Sequence, residues 1–495
     1  MSVTSTRNDV VGEVIDWLTS QPTPDLDAES RALAAKLAAL ATPGVTSAQF
    51  HRCIELFYSR ALQLSGEVRR ELRTEKLPLE AERLQSVRML ADSLFRVSVG
   101  FVRVLSDARQ GAIRSQRRLN ETASARALRI LTEHFLVINL AGTEPAPEMW
   151  ATAYQLYLLS RMEADPSLPP GSPAETALFA YKRLLALPTV APRSLSPAEL
   201  DWAAEYLTRI SGQAHVQAEK PQSLEGGWYW IDPDEGAEPQ ACSRREPPSR
   251  NGLLFFSTQP LARRAAEALA RHEGGRGGPE LEPSELYPGV QPVSLLQRLR
   301  QRWSAPAKRE QPRRRQEYEV DVCVGLQAIW EVLRGRRDPS EVMSHWKVQN
   351  ESPGGIAILH VSGLSGGIMA GSVLCLRASP GEAWSLCLVR WMRTDKPGHV
   401  ELGLQIVSKG AIPVQVGFRG TDRQNPMVDA LVLPVLPALR KHQAVLAPSG
   451  TYTSRRFLLI SDVDRLYVAQ GRLLSLDMQT SSVELFQFEI DPYPI

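Results

Sequence analysis

The pattern of apolar and polar positions divides the chain into a helical half and a half made of short strands. From residue 1 to about 215, apolar side chains recur at three- and four-residue steps, the spacing of one face of an α-helix. The clearest helix follows Pro78, with Leu84 and Val87 at the start of its apolar stripe. Asp25 and Ser196 are suited to cap two others. The further helices that this spacing predicts lie at about residues 26–41, 47–74, 120–140, 147–163, 172–187 and 197–212.

Residues 216–304 are predicted to form a small α/β module. Two apolar runs, at 228–231 and 253–256, are typical of strands, and a helix is expected after the second. Further along, Arg298 and Arg302 form an RxxxR at helical spacing and are expected on a solvated helix face.

Beyond residue 315 the periodicity changes to two. Val400, Leu402 and Leu404 alternate with polar or small residues, as in a strand with one buried face. Short strands separated by turns continue to the C-terminus, which is typical of barrels and sandwiches. The predicted fold class is therefore multidomain α+β. Its predicted domains are an α-helical domain at 1–215, the α/β module at 216–304, a β-barrel with a basic N-terminal arm at 305–412, and a β-rich domain that could be a degenerate barrel at 413–495.

Composition places the chain among ordinary globular proteins. Of 495 residues, 43% are hydrophobic and 23% are charged, and the net charge is +2. So weak an overall field gives no reason to expect nucleic acid as a partner. The first residues lack the apolar core of a secretory signal, and no uninterrupted apolar run approaches the length of a spanning helix. The sequence therefore predicts a cytoplasmic protein with no membrane span.

Residue types that carry catalysis or bind metals show no recognised pattern. The five cysteines are scattered without metal-ligand spacing, which predicts buried, reduced thiols. The eight histidines form no HExxH pair, and neither a GxSxG elbow nor a GxxxxGK[ST] phosphate loop occurs. Asp462 and Asp464 form a carboxylate pair for which strand alternation predicts a solvated edge. We expect no catalytic residues, no metal site and no cofactor, and we predict that the chain is not an enzyme.

Two short motifs carry the candidate chemistry. One is an RxxxR at residues 309–313 within a basic stretch, and the other is an NxSxxG at 350–355. Each is weak alone, because a basic cluster is commonly a solvated linker and NxSxxG is commonly a turn. In this order, and followed by strands at 371–376, 388–391 and 402–406, they resemble the PilZ family of β-barrel receptors.

The resemblance extends to the surrounding sequence. Residues 326–334 predict a helix inserted between the two motifs, and a long helical region precedes them. This pattern is similar to the FimW type of PilZ-like receptors. The resemblance implies a PilZ-like barrel at 305–412 that binds cyclic di-GMP. The residues that it implies for this ligand are Arg309, Arg313, Arg314, Arg315, Asn350, Ser352 and Gly355, and which of the arginines contact the ligand is left open.

The chemistry of cyclic di-GMP suits these residue types. Each guanine presents O6 and N7 as adjacent acceptors to which a planar guanidinium can donate, and both phosphates are anionic. Asn350 and Ser352 are short polar groups that can meet a base edge or a phosphate oxygen. Gly355 would permit either a close backbone approach or a positive φ. Trp346 is expected either inside the barrel or against the ligand.

The resemblance implies a receptor that relays the level of cyclic di-GMP to a protein partner through the helical or C-terminal domain. Pili, motility and biofilm formation are the surface behaviours implied. The like-charged arm at 305–315 is expected to be extended without ligand and to close over it, restricting the position of the helical region.

Two alternatives remain open. One is a protein–protein adaptor whose PilZ-like barrel is structural and binds no nucleotide. The other is a nucleic-acid-binding protein that uses the basic arm, which the near-neutral net charge disfavours. The β-rich region after 413 lacks both motifs and is predicted not to bind the nucleotide.

Overall fold

The described part of the chain is helical at its N-terminus and β-rich at its C-terminus. The structure is a computed structural model. It describes residues 5–41, 44–112, 117–162, 176–306, 312–363, 366–396, 398–418, 427–437, 439–463 and 465–491.

The N-terminal half is built from helices packed around a continuous apolar core. The helices are α1 (Ser5–Thr19), α2 (Leu26–Ala39), α3 (Ser47–Leu72), α4 (Ala81–Arg109), α5 (Arg117–Leu140), α6 (Glu148–Met162), α7 (Ala177–Thr189) and α8 (Pro197–Ile210). The helices predicted from apolar spacing are thus present, with ends that differ by a few residues, although residue 163 and residues 172–175 of two predicted ranges lie outside the described residues.

Both predicted helix caps are confirmed. A side-chain oxygen of Asp25 accepts hydrogen bonds from the backbone N–H groups of Asp27 and Ala28, both at 3.0 Å. The Ser196 hydroxyl accepts from the backbone of Glu199, whose carboxylate in turn accepts from the Ser196 N–H. Each side chain satisfies backbone donors that a first helical turn leaves unpaired.

A four-stranded sheet and two helices follow. The strands β1 (His215–Gln217), β2 (Trp228–Ile231), β3 (Gln240–Ala241) and β4 (Leu254–Ser257) are ordered β1-β4-β2-β3. Helices α9 (Gln259–Glu273) and α10 (Pro292–Ser304) pack against each other and share an apolar core with Ile231 and Phe256 of this sheet. The buried Trp303 of α10 donates its indole N–H to Thr189 at 3.0 Å, which anchors α10 to the helical half.

The motif-bearing region forms a closed six-stranded antiparallel barrel. Its elements are β5 (Arg314–Val324), α11 (Leu326–Leu333), β6 (Met343–Ser352), β7 (Gly355–Ser362), β8 (Val373–Arg377), β9 (Ser385–Lys396) and β10 (His399–Lys409). The strands close in the order β10-β7-β6-β5-β8-β9. The inserted helix predicted between the two motifs is therefore present as α11.

The remaining chain forms a second closed barrel. Its strands are β11 (Ile412–Phe418), β12 (Val428–Leu433), β13 (Ala444–Pro448), β14 (Arg456–Ser461), β15 (Tyr467–Gln479) and β16 (Val483–Ile490), closed in the order β11-β12-β13-β16-β15-β14. When the strands of each barrel are counted from its first, both barrels close as 1-2-3-6-5-4. The second barrel therefore repeats the connectivity of the first, and the predicted multidomain α+β class is confirmed.

The first barrel is packed on both sides. The apolar cluster inside it, including Val348 and Leu402, is continuous with the core of the helical half. A second cluster joins α11 and the outer faces of β8 and β9 to the second barrel. Polar contacts reinforce both junctions: the Thr394 N–H donates to Gly142 O at 2.9 Å, and the Trp330 indole N–H donates to Val414 O at 2.8 Å.

These junctions correct the expected role of the basic arm. The arm was expected to be the link that sets the position of the helical region. Instead, the barrel and the helical half share a core and are joined by direct contacts such as Thr394 to Gly142. The arm is also shorter than 305–315, because β5 begins at Arg314 and pairs there with β6.

All five cysteines are buried and none forms a disulfide. Among the described helices, none is both long enough and apolar enough to cross a bilayer.

Candidate ligand-binding site

Pairing of β5 with β6 brings the two motifs together. Arg315 lies opposite Asn350, and Arg314 lies opposite Glu351. Residues opposite each other in an antiparallel pair share a face of the sheet, and successive residues alternate between faces. Arg315 and Asn350 therefore share the outer face of the barrel, whereas Arg314 is directed to the other face. This register separates Arg314 from Arg315, a distinction that the sequence left open.

Arg313 makes the direct contact between the motifs. Its guanidinium donates to the side-chain oxygen of Asn350 at 2.9 Å. This bond fixes the orientation of the Asn350 amide, since the carbonyl oxygen must face the arginine. The amide NH₂ then points elsewhere and can donate to an acceptor on a ligand.

Ser352 and Gly355 close a tight hairpin between β6 and β7. They face each other across the turn formed by residues 353–354, and the Ser352 hydroxyl donates to Gly355 O at 3.2 Å. A Cβ at Gly355 would lie 2.6 Å from the carbonyl oxygen of Leu404 on β10. Of the two reasons considered for this glycine, the structure supports the close backbone approach.

A row of small residues continues from Asn350 across the outer face. Asn350 is opposite Ala357, Ala357 is opposite Gly403, and Gly403 is opposite Trp391. A Cβ at Gly403 would collide with the Trp391 indole, so the ring lies over the glycine. Trp391 is half-buried and offers an aromatic face beside the small residues. Its position was recognised from the sequence only as part of a strand; an aromatic residue paired with a strand glycine is the signal that could have indicated more.

Charge on this face is least compensated at the arginine end. The Arg315 side chain is 89% exposed and lies 3.9 Å from Glu317, which Lys347 approaches more closely, at 3.1 Å. One row away, Arg393 pairs with Glu401 at 2.6 Å. An exposed pair at such a distance contributes little, so the Arg315 guanidinium is available to an anion.

The other predicted site features fall in different places. Arg309 lies outside the described residues. Trp346 is buried inside the barrel and donates its indole N–H to Ser344 at 2.8 Å, so it packs in the interior. Within the described ranges, no three His, Cys, Asp or Glu side chains come together as a metal site would require.

The expectation of a solvated face for Arg298 and Arg302 is wrong. Both are only partly exposed. Arg298 pairs with the buried carboxylate of Glu199, and Arg302 donates to the carbonyl oxygen of Val190. The helix that carries them lies between domains, and a local sequence pattern does not reveal the partner of a helix face.

Two family models match most of the chain. Residues 12–222 match the family model described as the N-terminal domain of the cyclic-di-GMP receptor FimW. Residues 229–349 and 336–413 match the model of its middle PilZ domain, which spans every described motif residue. The chain belongs to the FimW family.

One curated relative of the FimW family supports the assignment. The cyclic-di-GMP receptor FimW of Pseudomonas aeruginosa is 22% identical over 423 residues, which cover 70% of this chain and 68% of the relative. No solved structure matches. Apart from its first two residues, the second barrel lies beyond the ranges that the two FimW models match.

Proposed function

We propose that this FimW-family receptor binds cyclic di-GMP on the outer face of its first barrel. The observation that carries the proposal is the convergence of Arg313, Arg315, Asn350 and Ser352 beside a row of small residues that are themselves buried, Ala357 and Gly403. The ligand would lie against Gly355 and the small row, with its phosphates and guanine edges towards the arginines. Arg309 would complete the site from the arm, whereas Arg314, on the other face of β5, would contribute little.

Each part of the face matches one part of the ligand. Guanidinium groups can donate in a fork to guanine O6 and N7 or to phosphate oxygens. The Asn350 amide, oriented by Arg313, offers an N–H to the same acceptors. The Trp391 ring offers a surface on which a guanine can stack. These contacts favour a planar base joined to an anion over either group alone.

The downstream role is a proposal of the same kind. The receptor would act in the cytoplasm, without catalysis of its own or contact with nucleic acid, and would pass the signal to a protein partner through the helical or C-terminal domain. Surface behaviour such as pilus function, motility or biofilm formation would be the output. Support comes from the family to which the chain belongs.

Calorimetric titration of the full chain with cyclic di-GMP tests the binding site. Ser352→Ala removes a hydroxyl on the proposed face. Without this hydroxyl, the affinity for cyclic di-GMP should fall by roughly tenfold, which corresponds to about 1.4 kcal/mol of binding free energy. Ser362→Ala is the matched control, because Ser362 is exposed at the far end of the same hairpin. A folded wild-type chain that gives no binding heat would favour the adaptor with a structural barrel. Equal affinity in wild type and Ser352→Ala would place the site elsewhere.

A further inference from the structure

A cavity of about 1030 Å³ lies where the α/β module meets both barrels. Helices α9 and α10 line one side, Arg390 of β9 reaches it from the first barrel, and residues 476–479 of β15 line it from the second. Its size is at the upper end of the range for small-molecule sites. The face described above uses β5, β6, β7, β10 and Trp391 of β9, and none of its named residues lines the cavity, although Trp391 is the chain neighbour of Arg390.

Positive charge dominates the lining. The arginines that line the cavity are Arg263, Arg298, Arg300 and Arg390. The carboxylate among the lining residues is that of Asp477, and its oxygens already accept hydrogen bonds from Ser475 and Gln487. Among the described residues, no carboxylate forms an ion pair with Arg263, Arg300 or Arg390. Arg263, Arg300 and Arg390, from α9, α10 and β9, therefore line the cavity without a carboxylate partner in the described part of the chain.

Two arginines of α10 are destabilised by their surroundings near this cavity. Arg298 pairs with Glu199, yet its Nε is buried without an acceptor in the described part of the chain. Burial, together with the nearby guanidinium groups of Arg298 and Arg390, lowers the pKa of Arg302 to about 10. An anion in the cavity would reduce this repulsion and could supply a missing acceptor.

Arg390 reaches the cavity because β9 is irregular at this point. Trp391 pairs with Gly403 and Val389 pairs with Leu404, so Arg390 is an extra residue without a partner on β10. Such a bulge turns a side chain away from the regular alternation of the strand. Arg390 is exposed, and no hydrogen bond or ion pair engages it within the described residues.

We propose that this cavity binds the phosphate chain of an oligophosphate anion. Guanidinium forks suit the closely spaced oxygens of linked phosphates, and arginines from separate elements can contact successive phosphates. Amide side chains of Gln297 and Gln301 add neutral donors. The lining residues include no aromatic ring, so the phosphate chain is the part recognised, whether free or carried by a nucleoside.

Calorimetry on the full chain with sodium tripolyphosphate tests this proposal, with ATP in a parallel titration. We expect saturable binding of one tripolyphosphate per chain. Arg390→Gln and Arg263→Gln, which change different walls, should each weaken it by about tenfold or more. Arg271→Gln is the matched control, because Arg271 is exposed on the same helix as Arg263 but does not line the cavity. Thermal melts of all variants establish that they are folded.

The outcomes separate this site from the proposed receptor function. Arg313→Ala should leave tripolyphosphate binding unchanged, and tighter binding of ATP than of tripolyphosphate would identify a nucleotide as the source of the phosphates. Absence of saturable binding by both probes would overturn the proposal, as would unchanged affinity in folded Arg390→Gln and Arg263→Gln proteins. Loss of tripolyphosphate binding in Arg313→Ala would also overturn it. Failure of cyclic di-GMP to bind would count against the receptor function alone.

Discussion

The two barrels share one connectivity but differ at the places that form a ligand face. In the first, residues 353–354 make a tight turn between β6 and β7, and a basic arm leads into β5. In the second, residues 434–443 form the corresponding connection, and the link into β11 is residues 410–411. The same strand order therefore leaves the second barrel with neither the motif-bearing turn nor an arm. The strand order is the same in both barrels. The turn after the second strand and the segment that leads into the first strand determine whether a barrel carries a charged face.

The interiors differ as well. The second barrel is filled by phenylalanines in mutual contact, with Phe457 stacked on Phe418 and edge-on to Phe486 and Phe488. Its outer face packs on α11, β8 and β9 of the first barrel. Such packing suits a structural support, and it predicts that changes in the second barrel affect stability before they affect ligand binding.

The largest expected effect concerns the arginines of the first barrel. Replacing Arg313 and Arg315 together by alanine removes two charge-assisted contacts and should weaken cyclic di-GMP binding by about 100-fold or more. The control is the pair Arg455→Ala and Arg456→Ala at the start of β14 in the second barrel, which should leave the affinity unchanged. Calorimetry measures both. An equal loss in the two double variants would mean that net charge, and not the face, governs binding.

A pair of glycines offers a matched test of the two barrels. Gly403 lies under the half-buried Trp391 in the first barrel, and Gly471 lies under the buried Phe457 in the second. Gly471→Ala should lower the free energy of unfolding by about 1–3 kcal/mol, because its methyl group overpacks an enclosed ring, and should leave affinity intact. Gly403→Ala should cost less stability, because Trp391 can shift outward, but it should weaken ligand binding.

Chemical denaturation and calorimetry on both glycine variants provide the measurements. The comparison would fail if Gly471→Ala weakened binding in the folded protein as much as Gly403→Ala did. It would also fail if Gly403→Ala changed neither quantity, since Trp391 would then have no part in the face.

The smallest expected effect separates neighbouring arginines. Arg314 is directed away from the face that carries Asn350, whereas Arg315 lies on it. Arg314→Ala should change cyclic di-GMP affinity by no more than about two- to threefold, in keeping with a distant exposed charge. Arg315→Ala should weaken it by about tenfold. The opposite ranking would show that β5 changes register when ligand binds.

Much of the fold was predictable from local pattern. Helical spacing, the caps at Asp25 and Ser196, and the strand alternation around Leu402 are properties of short stretches of sequence. Each of the two motifs could be recognised because its own residues lie close together along the chain. What local pattern does not contain is long-range pairing: the closure of β11 on β14, the contact of Arg298 with Glu199, and the place of Trp391 in the row of Asn350.

The first barrel depends on long-range contacts with the rest of the chain, and a fragment would lose them. Residues 305–412 were predicted to bind cyclic di-GMP on their own, and that remains a prediction. The fragment would lack the second-barrel side chains, such as Leu433 and Leu446, that share a buried apolar cluster with Val373, Leu386 and Leu388 in the full chain. Exposed apolar surface of this kind favours aggregation, so the full chain is the better object for binding measurements.

Amide hydrogen exchange on the full chain, with and without cyclic di-GMP, tests the central claim most directly. Exchange reports protection along the backbone of both barrels in one measurement. The account predicts that ligand slows exchange at residues 308–319 and 350–357, and that the corresponding strands of the second barrel, at 412–418 and 428–433, keep their rates. Full binding with protection confined to the second barrel, or with no change at 350–357, would contradict it.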